Sequence, residues 1–302
     1  MIRTTKNSAA ANAVTHSGCF HADEILATVI LAKALKKDIN VLRASRVPED
    51  IAADVVVYDI GGGDFDHHQA GGNGTRENGV PYASAGLIWK EYGMAVCNGD
   101  KSVFDQIDRD LVQGVDALDN GYDVGNTIEL CSVSNIISSW NPNWDSDEDA
   151  DAAFDDACTL MQIIFNKMLA SAQSKSRAKQ IVEDGIEASD NGVMVLAQFA
   201  PWQEHVFAST NPKAEAVQFV VFPSNRGGYT WQCVPDALGS FGQRKPVPAE
   251  WRGLRDETLR QLTGVATATF CHPAGFIGGC ETKEDAILMA RMAVNGVIAI
   301  HK

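Results

Sequence analysis

The sequence has no run of about 18 consecutive apolar residues, which excludes a single-pass membrane helix and leaves no ground for a membrane partner. It has no C-x-x-C pair. Its seven cysteines, at 19, 97, 131, 158, 233, 271 and 280, are odd in number and scattered. That excludes a disulfide framework and points to free thiols in a reducing, intracellular compartment. Positive charge is scarce: 25 Lys and Arg stand against 39 Asp and Glu, a formal net charge of −14. A protein that coats nucleic acid through a global basic field is excluded; local basic contacts are not, and bound cations would add charge that this sum omits. There is no internal repeat and no low-complexity tract.

What is present is the composition of a soluble globular chain, 45% apolar and 21% charged over 302 residues. That length suits one large or two ordinary domains with a sizeable core. The first fourteen residues, MIRTTKNSAAANAV, are basic and free of acid. They read as a frayed terminus in preference to a very short targeting segment. Val14 closes a first short strand. HADEILATVILAKALKK carries Ile25, Leu26, Val29, Ile30 and Leu35 near helical spacing, and INVLR (39–43) and DVVVYDI (54–60) read as buried strands. Strand, helix, strand and strand predict an α/β unit with a mostly parallel sheet. Helices follow at Ser84 to Glu91 and at Val103 to about Leu118. Residues 145–156 hold seven acids in twelve positions, the solvated start of a long helix reaching about Glu187. Further strands are expected at 193–199, 215–222, 229–234 and 265–270, then a helix from Lys283 to Val294. The domain boundary is drawn near 190, giving domains 1–190 and 191–302.

Four of the seven histidines, His16, His21, His67 and His68, fall in the first 68 residues. Each lies beside a strand end or a glycine-rich turn, as do Asp59 and Asp66. In a parallel α/β sheet the carboxyl ends of the strands share one edge, where ligands bind. Three segments therefore deliver His and Asp to one place. Imidazole with carboxylate suits Mn²⁺, Zn²⁺ or Fe²⁺ better than Ca²⁺. The number of ligands suggests two ions, with Asp59 as the candidate bridging carboxylate, the arrangement used for in-line displacement at phosphorus.

THSGCFHADE, VVVYDIGGG, FDHH and VDALDNG (115–121) resemble successive motifs of the DHH phosphoesterase superfamily. SVSNIISSWNPNW (132–144), PWQEHVF (201–207), RKPVPAEWRGLRDE (244–257) and HPAGFIGGCETKEDA (272–286) resemble its melanocyte-proliferating-gene (Myg) branch, so that the resemblance covers nearly the whole chain. It implies a DHH-type parallel-sheet domain followed by a smaller substrate-binding α/β domain, with the active site in the cleft between them. It implies a metal-dependent phosphodiesterase, a 3′–5′ exoribonuclease acting on single-stranded RNA or short oligonucleotides, placed in mitochondria and nucleus, with the cytoplasm also open. The cofactors would be two divalent ions, Mn²⁺ first, with Mg²⁺, Zn²⁺, Fe²⁺ or Co²⁺ as alternatives. By motif, His16, His21 and Asp59 would hold one ion, and Asp23, Asp59, His67 and Asp116 the other. His68 would face the phosphate as a catalytic group beside Asp59, and Asp66 would orient a ligand histidine. Asp116 and Asp119, three residues apart, both suit the last ligand position. The superfamily's His-x-x-x-Asp-x-Asp becomes His16, His21 and Asp23 here, a histidine in place of one carboxylate.

In the second half, Arg244, Lys245, Arg252, Arg255 and Arg260 form a local basic cluster that either grips phosphates or is offset by Glu250, Asp256 and Glu257. Gly278 and Gly279 read as a Gly-rich turn between a strand and a helix, where backbone N–H groups approach a phosphate. His272 is a candidate substrate contact and His205 a structural residue. Trp202, Trp231 and Trp251 read as core aromatics in preference to stacking platforms. Two other readings stand beside the exonuclease: a small-molecule phosphatase of pyrophosphate or a dinucleotide, and a non-catalytic metal- or nucleotide-binding regulator. Either is compatible with a monomer or a homodimer.

Overall fold

Short β-branched runs alternating with one helix that is apolar all round can only build a sheet with that helix laid against it. The computed structural model describes residues 1–122, 125 and 131–300 and shows this arrangement. Strands β1 (Ile2–Thr4), β2 (Ala13–His16), β3 (Ile39–Ala44) and β4 (Val56–Val57) form an all-parallel sheet in the order β1-β3-β2-β4. Helix α1 (Ala22–Leu35) is the crossover from β2 to β3. Its Ile25, Leu26, Val29, Ile30 and Leu31 are all buried. It packs in one core with α2 (Ser84–Val96) and with Phe154, Ala157, Met161 and Phe165 of a long helix further on.

Next come α3 (Lys101–Ile107), α4 (Gln113–Asp119), α5 (Val133–Ser138) and that long helix, α6 (Ala150–Glu187). A π-helical turn, Asp108–Val112, interrupts the single helix expected over 103–118. The acidic start of α6 is not simply solvated. Asp155 accepts from Thr4 N at 2.8 Å, and Asp151 pairs with the buried Arg43 at 3.1 Å. Arg43 also donates to Gly18 O at 2.6 Å and stacks on Phe154, tying β3 to the loop after β2.

The chain divides into two units, Met1–Gln173 and Ser174–Lys302, and α6 begins in the first and ends in the second. The second unit adds β5 (Val193–Val195), α7 (Gln203–Ala208), α8 (Lys213–Ala216), β6 (Phe219–Pro223), β7 (Tyr229–Cys233), α9 (Asp256–Thr263), β8 (Ala268–Cys271), β9 (Ile277–Cys280) and α10 (Lys283–Val294). Its sheet runs β5-β6-β7-β9-β8, with β5 parallel to β6 and the other pairs antiparallel. Among the described residues no helix is long and apolar enough to cross a membrane.

Several expectations are corrected. The N-terminus is not frayed: Ile2–Thr4 pairs with Ile39–Val41. The strand expected over 54–60 is two residues long, because Asp59 turns the chain with a φ of 58°. Residues 215–216 close α8 and do not open β6. Gly278 and Gly279 lie in a strand, not a turn; the turn is 272–276, one element earlier. A Cβ on Gly278 would lie 2.0 Å from the Trp231 ring and 2.6 Å from Phe270 O, so glycine is what lets β9 pass between β7 and β8 over a tryptophan. Gly278→Ala should therefore destabilise the full chain by about 1–3 kcal/mol. Denaturant titration reads this as a lowered midpoint; an unmoved midpoint would mean that the Trp231 side yields freely.

Candidate metal centre

Parallel pairing of β2 with β4 puts the ends of both strands on one edge. His16 is the last residue of β2, and Asp59 follows β4 by two residues. The left-handed backbone of Asp59, rare outside glycine but tolerated by Asp, turns its carboxylate back over that edge. One oxygen faces each way. Oδ2 lies 3.2 Å from His16 Nε2, and Oδ1 lies 3.3 Å from both His67 Nε2 and His68 Nδ1. Ser84 Oγ also donates to Oδ1 at 3.2 Å.

Around this carboxylate stand three sets of donors close enough together to hold a cation: His16, His21 and Glu24; Asp59, His67 and His68; and Asp23, His67 and Asp119. In the first, His16 Nε2 is 2.9 Å from Glu24 Oε1, and the His16 and His21 ring centroids are 5.9 Å apart. In the last, His67 Nε2 is 3.1 Å from Asp119 Oδ2 and 4.0 Å from Asp23 Oδ2. Both buried-side histidines have Nδ1 tied off, His16 to Ser17 O at 3.1 Å and His67 to Asn120 Oδ1 at 3.2 Å. That fixes the tautomer with Nε2 aimed inward, the usual arrangement of a ligating imidazole. Asn120 is held in turn by donating to Asp116 O at 2.9 Å.

The electrostatics favour positive charge here. Burial and the neighbouring charges of Asp59, Asp119 and Asp116 push the Asp23 carboxyl well above its usual range. Burial would also raise Asp59, yet the neighbouring imidazoles of His16 and His67 hold it down at about 2. The Asp59 and Glu24 carboxylates raise His16 to about 11. Burial works to lower His67, but Asp119 and Asp59 carry it to about 11. Protons stand where positive charge is needed, and the buried His67 Nε2 has no properly directed hydrogen-bond partner. Nitrogen and carboxylate donors around a shared carboxylate fit two borderline divalent ions.

Of the expected ligands, the structure brings together His16, His21, Asp23, Asp59 and His67. Asp116 is turned away: its Oδ2 lies 2.7 Å from the half-buried guanidinium of Arg76, and its Oδ1 accepts from Gly86 N at 2.9 Å. A Cβ at Gly86 would sit 1.9 Å from that carboxylate. Asp119, the other candidate for that ligand position, faces His67 instead. Asp66 orients the exposed His68 and not His67, accepting from its Nδ1 and its backbone N at 3.0 Å each. Glu24 was missed, although a His-x-x-Glu capping pattern at the start of α1 marks it: Glu24 also accepts from His21 N at 3.0 Å. Asn120 and Arg76 were missed as well, and neither carries a local signal.

Among the described residues, none from the second unit is in these three donor sets. Arg244 is spent on backbone, donating to Ala214 O at 2.7 Å and Val217 O at 2.9 Å. Arg260 donates to Ala268 O at 2.9 Å. Lys245 is half-buried, Arg252 and Arg255 are exposed, and Arg255 lies over the Phe270 ring. His272 Nδ1 accepts from Ala274 N at 3.1 Å inside its own turn. His205 donates to Lys175 O at 2.8 Å if Nε2 carries the proton, and Trp202, Trp231 and Trp251 are buried. Gly279 borders a cavity of about 830 Å³ lined by Phe199, Phe222, Tyr229, Phe270, Gln232 and Arg226 among others.

A family model, MYG1_exonuc, described as an uncharacterised protein family (UPF0160), matches residues 12–294. The chain is similar to the MYG1 protein of Dictyostelium discoideum, 33% identical over 319 aligned positions covering 93% of this chain and 95% of that protein. It is similar to the MYG1 protein of Saccharomyces cerevisiae, 33% identical, with 93% and 94% covered. It is also similar to the protein named MYG1 exonuclease of Homo sapiens, 34% identical, with 92% and 84% covered. No solved structure matches.

The two aspartates of α4 should separate experimentally. Asp119→Asn should weaken Mn²⁺ binding to the metal-stripped protein at least tenfold, whereas Asp116→Asn should chiefly lower stability. Calorimetric titration decides, and the reverse assignment overturns this geometry. Because His16 and His67 must lose protons to accept a cation, Mn²⁺ uptake near neutral pH should release protons, and apparent affinity should rise with pH. Titration in buffers of different ionisation enthalpy measures both.

Proposed function

The chain belongs to the MYG1_exonuc family, and from that premise we propose that it is a metal-dependent phosphodiesterase that shortens single-stranded RNA or short oligonucleotides from the 3′ end. The observation that carries this is Asp59, whose two oxygens face two histidine–carboxylate groups. His16, His21, Glu24 and Asp59 would hold one cation, and Asp23, Asp59, His67 and Asp119 the other. Two divalent ions, Mn²⁺ first, would supply charge neutralisation at phosphorus and a more acidic water. This arrangement agrees with the DHH-type motifs of the sequence.

The residues themselves divide the remaining work. Hydrolysis forms one P–O bond from water and breaks the P–O bond to the 3′ oxygen of the shortened strand, which takes up a proton, so that the terminal residue leaves as a nucleotide. His68 is exposed and oriented by Asp66, so its ring meets the substrate phosphate and stabilises the charge that develops there. Asp66, fixed by Gly62 N at 2.7 Å, keeps that ring from swinging away. In the second unit, Phe199 and Phe270 offer stacking faces to bases, and Arg226 a contact to the substrate's phosphates.

The direct test is cleavage of 5′-labelled single-stranded RNA with Mn²⁺. The wild-type protein should yield a ladder shortening from the 3′ end, and His67→Ala with Asp59→Ala should abolish it. An intact substrate with Mn²⁺, Mg²⁺, Co²⁺ and Zn²⁺ alike would overturn the exonuclease reading.

A further inference from the structure

A second, smaller cavity of about 260 Å³ opens beside the metal-facing residues His21 and Asp119. Its other wall is α5, which presents Ser132, Asn135 and Ser138 at three-residue spacing, with Ser134 beside them. The opposite face of α5 is anchored by the buried Ile137. The wall is fixed relative to the ligands by Asn141, which accepts from Phe20 N and donates to Phe20 O, both at 2.8 Å. Phe20 directly precedes His21, so the hydroxyl-rich wall and the metal-facing loop are one clamped piece.

The chemistry of this cavity is narrow. Apart from His21 and Asp119 it has no charged lining residue, so nothing there matches a phosphate. It has no Phe, Tyr or Trp in its lining, so it offers no broad platform for a base. It is smaller than the usual range for a whole ligand, about 300–1,000 Å³. Beside the apolar Ala22 and Leu118 it offers neutral hydroxyl and amide groups, and one of them, Ser134 Oγ, is buried with no partner. Such a group is costly unless a ligand satisfies it. Resting on the phosphodiesterase reading, we propose that this cavity receives the sugar of the nucleotide being released and reads its 2′-hydroxyl through Ser134 and Ser138. The 2′-hydroxyl is both donor and acceptor and is the group that separates RNA from DNA.

The test compares kcat/KM on oligonucleotides that are identical except for a 3′-terminal ribo, 2′-deoxy or 2′-O-methyl nucleotide. The wild-type protein should favour the ribo end over both others by about tenfold, and Ser134→Ala with Ser138→Ala should bring the three rates to within about threefold. Both changes are small, and the metal-binding titration checks that the variant keeps its fold. Equal wild-type rates on ribo and deoxy ends, or a preference that survives in the double variant, overturns the assignment. Bis(p-nitrophenyl) phosphate, which has no sugar, separates the two readings. If the wild type hydrolyses it while ribo and deoxy ends react equally, only the sugar assignment fails. If it hydrolyses neither this diester nor any oligonucleotide, the phosphodiesterase reading fails and takes the sugar assignment with it.

Discussion

The site depends on one carboxylate placed at the end of a strand that is only two residues long. Asp59 leaves β4 with a left-handed backbone, and this sends one oxygen toward His16 and the other toward His67 and His68. A residue continuing the strand would carry its side chain to one face of the sheet and reach only one of these groups. Holding a non-glycine residue in this region costs about 1–3 kcal/mol and persists only where the surroundings over-determine it. Here they do: Asp59 N donates to Phe65 O at 3.0 Å, Ser84 Oγ holds Oδ1, and three imidazoles converge on the carboxylate.

The N-terminus of α2 is the second support. Asp23 accepts from Ser84 N at 2.9 Å and Ala85 N at 2.6 Å, while Asp116 accepts from Gly86 N at 2.9 Å. Two carboxylates from other helices thus occupy the orphan N–H groups of α2, whose own cap position, Ala83, has no side chain to offer. The helix dipole helps to keep these buried acids in place beside other negative charge. It also explains why Asp116 and Asp119 part company. Asp116 is neutralised by Arg76 and fastened to α2, and this leaves Asp119, one turn on, to face His67.

How much of this was legible follows from the range of the interactions. The crossover of β2, α1 and β3, the extent of α6 to Glu187 and the span of α10 were readable, because hydrophobic period and acid placement are local signals. The gathering of His16, His21, Asp59 and His67 was readable too, since parallel strands must end on one edge; Asp23 came only from the family resemblance. The choice between Asp116 and Asp119 was not, because it is made by Arg76, forty residues earlier in the chain at 116 against 76. Strand β9 was missed because two glycines ordinarily break strands; only the Trp231 ring lying beneath Gly278 makes them a strand requirement. Arg244 looked like a free cation in a basic cluster, but its partners are carbonyls near the end of α8, and backbone acceptors leave no trace in composition.

The net charge of −14 acquires a different meaning once the site is in view. Asp23, Glu24, Asp59 and Asp116 are each nearly or wholly buried in the first unit, with Asp119 close by. Burying carboxylates without compensation is among the most expensive arrangements a protein can adopt. Arg76 compensates Asp116, and the protons on His16 and His67 compensate only part of the rest. A fold that gathers these carboxylates in its interior offers a place for metal ions, whose removal should then be felt in stability as well as in activity. The same logic separates this centre from an acidic surface patch: the α6 acids Asp151 and Asp155 engage Arg43 and Thr4, whereas the carboxylates around Asp59 lie close enough for their charges to raise Asp23.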